Sequence, residues 1–314
     1  MKLSIVTTLY HSAPYIDEFY RRISESAQRV TEDYEIIFVN DGSPDNSLDL
    51  AVRIHVGDRR IRVLDLSRNF GHHKAIMTGL AHARGERVFL LDCDLEEEPE
   101  LLERFWKEMD ASQDVDVVYG VQEIRKGNWF ERISGKLFYW AFNQFASIKL
   151  PENLATVRLM TLRYVKALIS FREQEIFLAG LWAATGFTQK PVSFRKLDHS
   201  PSTYSLRKKL SILVNSITSF SNKPLISIFY LGTIMTLFSF IFVLYMIYRK
   251  VMWGIDIEGW LTLVVSIWLI GGVTIFSIGI VGIYLSKIFV ESKRRPYTIV
   301  RRQYGKYEGP TQKH

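Results

Sequence analysis

The stretch RVFLLDCDLEEEP, residues 87–99, decides how the first half of this chain is read. An apolar run stops at Asp92-Cys93-Asp94, and three consecutive glutamates precede Pro99. A chain with a formal net charge of +7 thus gathers five carboxylates where a buried strand ends. Acidic side chains favour the first turn of a helix, where the macrodipole is positive, and this accounts for Glu96, Glu97 and Glu98. Asp92 and Asp94 follow the strand and precede the helix. They remain candidates for holding a cation.

Outward from that stretch, strand and helix patterns alternate. KLSIVTTL, EIIFVN, IRVLDL, RVFLLD and VDVVYG are short apolar or β-branched runs, with helical patterns at 14–30, 46–56, 71–84 and 99–110. Such alternation predicts an α/β fold, a doubly wound and mostly parallel sheet covered on both faces. Ligands bind such sheets beyond the carboxyl ends of the strands. That points to TTLYHSAP, NDGSPDNS, SRNFGHHK and DCDLEEEP. No GxGxxG follows the first strand and no P-loop pattern occurs, which disfavours dinucleotide binding and P-loop NTPase chemistry.

The second half is of another kind. Residues 225–248 and 260–286 contain no charged side chain. About 20 apolar residues cross a bilayer core, so the two read as a transmembrane hairpin. From Lys287 onward there are eight Lys/Arg and two Glu, which supply six of the seven net charges. Positive charge on both flanks places both termini in the cytoplasm, in a multi-pass protein of the cytoplasmic (inner) membrane. Anionic headgroups then account for the basic balance, and nucleic acid is not needed. No signal peptide is visible at the start, and the single cysteine, Cys93, fits a reducing compartment. Aromatic residues recur at helical spacing over 129–145, a helix packed on the core or lying in the membrane interface. SLRKKLSILVNSITSF, 205–220, reads as an interfacial helix. The expected divisions are a cytoplasmic domain at 1–204, a juxtamembrane helix at 205–223, the hairpin at 224–287 and a basic tail at 288–314.

An Asp-x-Asp at the ligand-binding edge suits a hard divalent cation. Mg²⁺ typically takes one or two carboxylates and completes its shell with substrate phosphates. VNDGSPDNS, SRNFGHHKAIMTGLAHARG and LLDCDLEEEPE, in that order, together with RISGKLFYWAFN, STYSLRKKL, SFSNKPL and the paired spans, carry a resemblance over essentially the whole chain. The chain resembles the GT-A glycosyltransferases of family 2, and among them the polyprenyl-phosphate group of dolichyl-phosphate mannose synthases and bactoprenol glucosyltransferases. The resemblance implies transfer of a sugar from a nucleotide donor, UDP-glucose or another UDP-sugar, to polyprenyl (undecaprenyl) phosphate.

By position, the resemblance assigns Thr7, Tyr10, Asp41, Arg68, Lys74 and Asp92 to the nucleotide sugar, and Asp94 to Mg²⁺ or Mn²⁺. It assigns Arg125, Arg132, Arg195, Ser202 and Tyr204 to the acceptor phosphate, for which arginine's planar fork is suited. Arg158 matches an arginine that in this family follows an acidic residue. Here Thr156 and Val157 precede it, which leaves its role as base or sugar contact open. The neighbouring His72 and His73 are not diagnostic. A lipid phosphate is mostly dianionic at neutral pH and can attack without a general base.

Two rivals stand beside this reading. A processive polysaccharide synthase would add a Gln-x-x-Arg-Trp signature and further spans, whereas Gln189 is followed by KPVSF. A non-catalytic membrane scaffold that binds a nucleotide sugar would partner a flippase or a downstream transferase. A homo-oligomer through the hairpin or the basic tail is compatible with either.

Overall fold

In a computed structural model, residues 1–112, 114–123, 143–144, 149, 151, 153–196, 214–215, 217–253 and 259–305 are described. They fall into two compact units, one within 1–139, 148–205 and 295–314, the other within 140–147 and 206–294.

In the first unit, the predicted runs form β1 (Leu3–Leu9), β2 (Tyr34–Asn40), β3 (Ile61–Leu66), β4 (Arg87–Leu90) and β5 (Val117–Gln122). Between them lie α1 (Ile16–Val30), α2 (Ser47–Gly57), α3 (His72–Ala81) and α4 (Leu101–Asp110). Strands β4, β1, β2 and β3 are parallel neighbours. Every residue of β1, β2 and β3 is buried, as a parallel sheet covered on both faces requires.

Alternation along the strands sorts the two faces. Leu3, Ile5 and Leu9 of β1 join Phe38 and Phe89 in one core with Ile16, Phe19 and Ile23 of α1 and Leu102 and Phe105 of α4. Truncating a ring such as Phe19 to alanine would cost about 3–5 kcal/mol. On the other face α3 lies tight against the sheet. A Cβ on Gly79 would stand 2.4 Å from Cγ1 of Val6 and 2.9 Å from Cγ2 of Val39.

Three strands complete the sheet in the order β7-β5-β6-β4-β1-β2-β3-β8. They are β6 (Leu154–Thr161), β7 (Gln189–Phe194) and β8 (Val300–Tyr304), and α5 (Leu162–Ile169) and α6 (Leu178–Ala184) follow β6. Strand β6 runs antiparallel between β4 and β5. Ala155, Val157 and Leu159 enter the core at period two, so Arg158 faces the opposite side of the sheet. Strand β8 pairs antiparallel with β3. Residues 300–304 sit in the stretch expected as basic tail, and residues 288–292 lie at the end of a long helix.

That helix belongs to the second unit, which contains α7 (Lys223–Trp253) and α8 (Trp260–Ser292). The apolar spans within them are Lys223–Arg249 and Ser266–Ser292, 27 residues each. At 1.5 Å per residue each is about 40 Å long, enough to cross a bilayer core. Neither span is buried within the protein. Phe229, Phe238, Trp268, Ile275 and Phe276 stand mostly exposed, an apolar surface too extensive to leave in water. The hydroxyls of Thr233, Thr236, Thr274 and Ser277 donate to carbonyls four residues back, which satisfies them without water. The two helices therefore support membrane association. The expected helix over 129–145 lies outside the described residues except for residues 143–144, and residues 205–213 are likewise outside. Residues 217–220 are helical.

Candidate active site

The four loops beyond the carboxyl ends of β1–β4 each contain a residue in the left-handed region: His11 (φ 54°), Gly42 (φ 61°), Gly71 (φ 100°) and Leu95 (φ 59°). Such backbone is costly for a side-chain-bearing residue and concentrates at functional sites. Hydrogen bonds knit the loops together. Ser43 Oγ accepts the His11 N–H at 2.8 Å and donates to Asp45 at 2.6 Å. Asp45 also accepts from Ser47 Oγ and the Ala13 N–H. Partial burial opposes the charge of Asp45, but these donors outweigh it and hold the carboxyl at about 2.

Asp41 is buried, and its two oxygens accept the N–H groups of Phe70 (2.7 Å) and Gly71 (3.0 Å). Its carboxylate shapes the loop between β3 and α3. Burial nonetheless raises its pKa against those two donors. Gly42 makes the approach feasible, since a Cβ there would stand 2.5 Å from the backbone of Arg68 and Asn69. Arg68 is exposed, with its guanidinium 4.0 Å from the centre of the Phe70 ring, and Lys74 is half-buried in the first turn of α3. Thr7 is fully buried in the register of Ile5 and Leu9, so its side chain faces the α1/α4 core. Tyr10 is exposed.

Beyond β4, Asp92 meets α3. His72 Nε2 lies 3.4 Å from Asp92 Oδ1, and His72 Nδ1 lies 3.1 Å from Thr8 Oγ1. The imidazole thus bridges the end of β1 and the end of β4, with one ring nitrogen at the Thr8 hydroxyl and the other facing the Asp92 carboxylate. His73 turns away to the Ile176 carbonyl (3.0 Å), and burial lowers its pKa. Asp94 Oδ1 accepts the Glu96 N–H at 3.0 Å; burial, then Asp92, push its carboxyl up.

The glutamates do not all start a helix. Helix α4 begins at Leu101, and only Glu98 of the three is exposed. Glu96 pairs with Lys196 at 2.5 Å. Glu97 is buried, and desolvation, then Asp92 and Asp94, push it up to about 8 against the pull of Lys196. It is therefore largely protonated at neutral pH. Lys196, itself partly desolvated, is held protonated by Glu96, Glu97 and Asp94.

Arg158 is fully buried on the Asp92 face of the sheet, with its guanidinium 3.0 Å from the centre of the Trp182 ring. It donates to the carbonyls of Thr156 and Ala155, and burial lowers its pKa to about 9. Asp92 Oδ1, Glu97 Oε2, Arg158 Nη1 and Trp182 Nε1 are buried and make no hydrogen bond. Buried polar atoms without partners call for a water, an ion or a ligand. Arg195 is exposed just after β7. Arg125, Arg132, Ser202 and Tyr204 lie outside the described residues.

Reading the sequence missed Glu97, Lys196 and Trp182. The one signal available was that a run of three glutamates exceeds what a helix start needs.

Among the described residues no three His, Cys, Asp or Glu side chains are arranged to hold a metal ion unaided. The carboxylate pair still fits a divalent cation shared with a diphosphate. Asp92 presents a buried oxygen that makes no hydrogen bond and has the His72 ring 3.4 Å away, and the neighbouring charge of Asp92 already raises the Asp94 carboxyl.

A mostly parallel sheet with cross-linked loops beyond its strand ends, and with Asp92 and Asp94 just past β4, is the setting of a GT-A type transferase. Residues 4–167 match the model of glycosyl transferase family 2. A Mycobacterium tuberculosis protein described as a glycosyltransferase is 51% identical over 97% of this chain and 89% of its own length. The Bacillus subtilis glycosyltransferase YkcC is 33% identical over 97% and 95%, and the bactoprenol glucosyl transferase of Shigella phage SfV is 29% identical over 96% and 99%. The chain belongs to glycosyl transferase family 2, and it is a glycosyltransferase. Among solved structures, S. aureus TarS 1–349 with UDP-GlcNAc overlaps 70% of this chain and 66% of that one, at 17% identity and a TM-score of 0.47. That likeness is too distant to carry a ligand across.

Proposed function

We propose that this chain transfers one sugar from a nucleotide-sugar donor, UDP-glucose or another UDP-sugar, to the phosphate of a polyprenyl (undecaprenyl) lipid. The observation that carries the proposal is the presence in one chain of the Asp92/Asp94 edge and two exposed 27-residue apolar spans. A soluble acceptor would not require the second. Relatives named bactoprenol glucosyl transferase, matched nearly end to end, support the lipid class. The positive flanks of the hairpin support a catalytic domain and termini on the cytoplasmic face.

In this reading Tyr10 and the backbone leading to it from Thr7 lie beside the nucleotide, the buried Thr7 side chain taking no part, and Asp41 acts by fixing the Phe70–Gly71 backbone. Arg68 and Lys74 meet the diphosphate. Asp92 and Asp94 would hold Mg²⁺ or Mn²⁺, which supplies charge neutralisation of a departing diphosphate. Arg195, with Arg125, Arg132, Ser202 and Tyr204, orients the acceptor phosphate. Its dianionic oxygen attacks the anomeric carbon while the bond to the nucleoside diphosphate breaks, so no side chain need remove a proton. Positioning and charge stabilisation then lower the barrier, and the single displacement inverts the anomeric centre. Arg158 and Glu97 support the site from beneath as buried side chains, with Thr156 and Val157 preceding Arg158 where the family has a carboxylate.

The test incubates membranes containing the protein with labelled UDP-glucose and undecaprenyl phosphate, with Mg²⁺ or with EDTA. Label entering the organic phase only with the metal supports the proposal. Failure with every nucleotide sugar supplied would favour the scaffold.

A further inference from the structure

The chain leaves the first unit for the apolar helices and returns to it at Arg295. The returning segment is tied down before β8 begins. Gln174 donates to the Arg295 carbonyl, the Thr78 and Thr298 hydroxyls are 2.7 Å apart, and the Ser67 N–H donates to the Ile299 carbonyl at 2.9 Å. Within β8, Arg301 grips Asp65 at the end of β3, with Nε 2.9 Å and Nη2 2.7 Å from Oδ2. The Asp65 side chain is 1% exposed and that of Arg301 is 56% exposed, so the strand brings a cation to a carboxylate sealed in the sheet.

The other oxygen of Asp65 accepts from Asn40 Nδ2 at 2.9 Å. A carboxylate only accepts, so this bond decides which way the Asn40 amide faces. Its carbonyl oxygen is thereby left to accept the Ser43 N–H at 3.2 Å. Ser43 in turn holds His11 and Asp45, the knot between the β1–α1 and β2–α2 loops. The path Arg301–Asp65–Asn40–Ser43 therefore runs from the strand that follows the membrane helices to the loops assigned above to the nucleotide.

We propose that Arg301 is a positioning residue for the donor nucleotide, acting through Asp65 and Asn40 on the loop at Gly42–Ser43. Read by sequence alone, Arg301 is one of the charges flanking the membrane. In the structure it is committed to the sheet. Without its guanidinium the buried carboxylate loses its cation, and the constraint that orients Asn40 loosens. The inference rests on the nucleotide-sugar reading of the site. It adds that donor affinity depends on a residue the chain reaches only after both apolar helices.

The experiment uses the full chain in detergent or membranes and compares the parent with Arg301→Gln, Arg301→Lys and Arg302→Gln, the last on an exposed neighbour. UDP affinity, donor KM, acceptor KM, kcat and Tm are measured for each. Arg301→Gln is expected to weaken UDP binding and raise donor KM about five- to tenfold. Acceptor KM and kcat should stay within about twofold, a split that uniform loss of nucleotide binding produces. Arg301→Lys should recover most of the affinity, and Arg302→Gln should match the parent. A lowered Tm with unchanged UDP affinity would overturn the proposal, as would equal effects of the two glutamine variants. If the parent binds no uridine nucleotide, the reading of the site itself falls, and this inference with it.

Discussion

Lys196 Nζ lies 2.5 Å from Glu96 Oε2, two residues beyond Asp94. The ammonium thus neutralises part of the acidic edge, and it also pulls on Asp94 and Glu97. Lys196→Met removes that competitor. The Mg²⁺ concentration giving half-maximal transfer should fall about three- to tenfold, because the edge gains one net negative charge. A rise in the requirement would show that Lys196 serves the donor and does not compete with the metal.

Glu97 carries a pH signature. Burial, reinforced by Asp92 and Asp94, pushes its folded-state pKa to about 8, against 4.5 for a free glutamate. The folded state then binds more protons between those values. The stabilising contribution is complete below pH 4.5 and is lost as pH rises toward 8. Glu97→Gln, which mimics the protonated acid, should flatten the decline of denaturant stability between about pH 5 and 8, by up to a few kcal/mol. Its transfer activity at pH 7 should stay near the parent's. An unchanged slope would place the Glu97 carboxyl in a different protonation state.

Asp92→Asn and Asp94→Asn keep the size of the side chains and remove the charge. Each should lower transfer about 100- to 1,000-fold with little change in Tm, since preorganised charge stabilisation at a reacting centre has that worth. Parent-like transfer by both variants would sink the proposed chemistry.

Gly42→Ala tests the approach of two loops. The new Cβ would sit 2.5 Å from the Arg68 and Asn69 backbone at a φ of 61°. The loop must then move, and donor KM should rise more than tenfold with a stability loss of about 1–3 kcal/mol. Normal donor KM would show that the packing of this turn does not govern the nucleotide site.

Orientation can be read by cysteine labelling. The native Cys93 is buried, and burial raises its thiol pKa, so it is a poor target for an impermeant maleimide. In intact cells, a cysteine at Asp256 between the spans should label, and one at Lys313 should not. The reverse pattern would invert the proposed topology.

Much of the fold was legible because its strands are buried on both faces. Runs such as EIIFVN and IRVLDL carry their own signal, as do two charge-free spans too long for ordinary core helices. Strand β8 carries no such signal. VRRQY lies at an edge with three exposed residues, and what fixes it is long-range: its pairing with β3 and Arg301 meeting Asp65, 236 positions away. Strand β6 was hidden for a related reason, since its antiparallel insertion between β4 and β5 depends on long-range pairing. The position of Asp92 and Asp94 just past a buried strand was legible from the apolar run before them. Glu97 was not, because three glutamates before a proline suit a helix start, and only the packing against β6 shows that one of them turns inward.

The decisive measurement is the structure, by NMR, of the lipid product made by the purified full chain from UDP-glucose and undecaprenyl phosphate. One glucose joined to the lipid monophosphate, with its anomeric configuration inverted relative to the donor, is the outcome expected of direct attack by the phosphate. Retained configuration, a chain of several sugars, or no lipid product with any nucleotide sugar would contradict it.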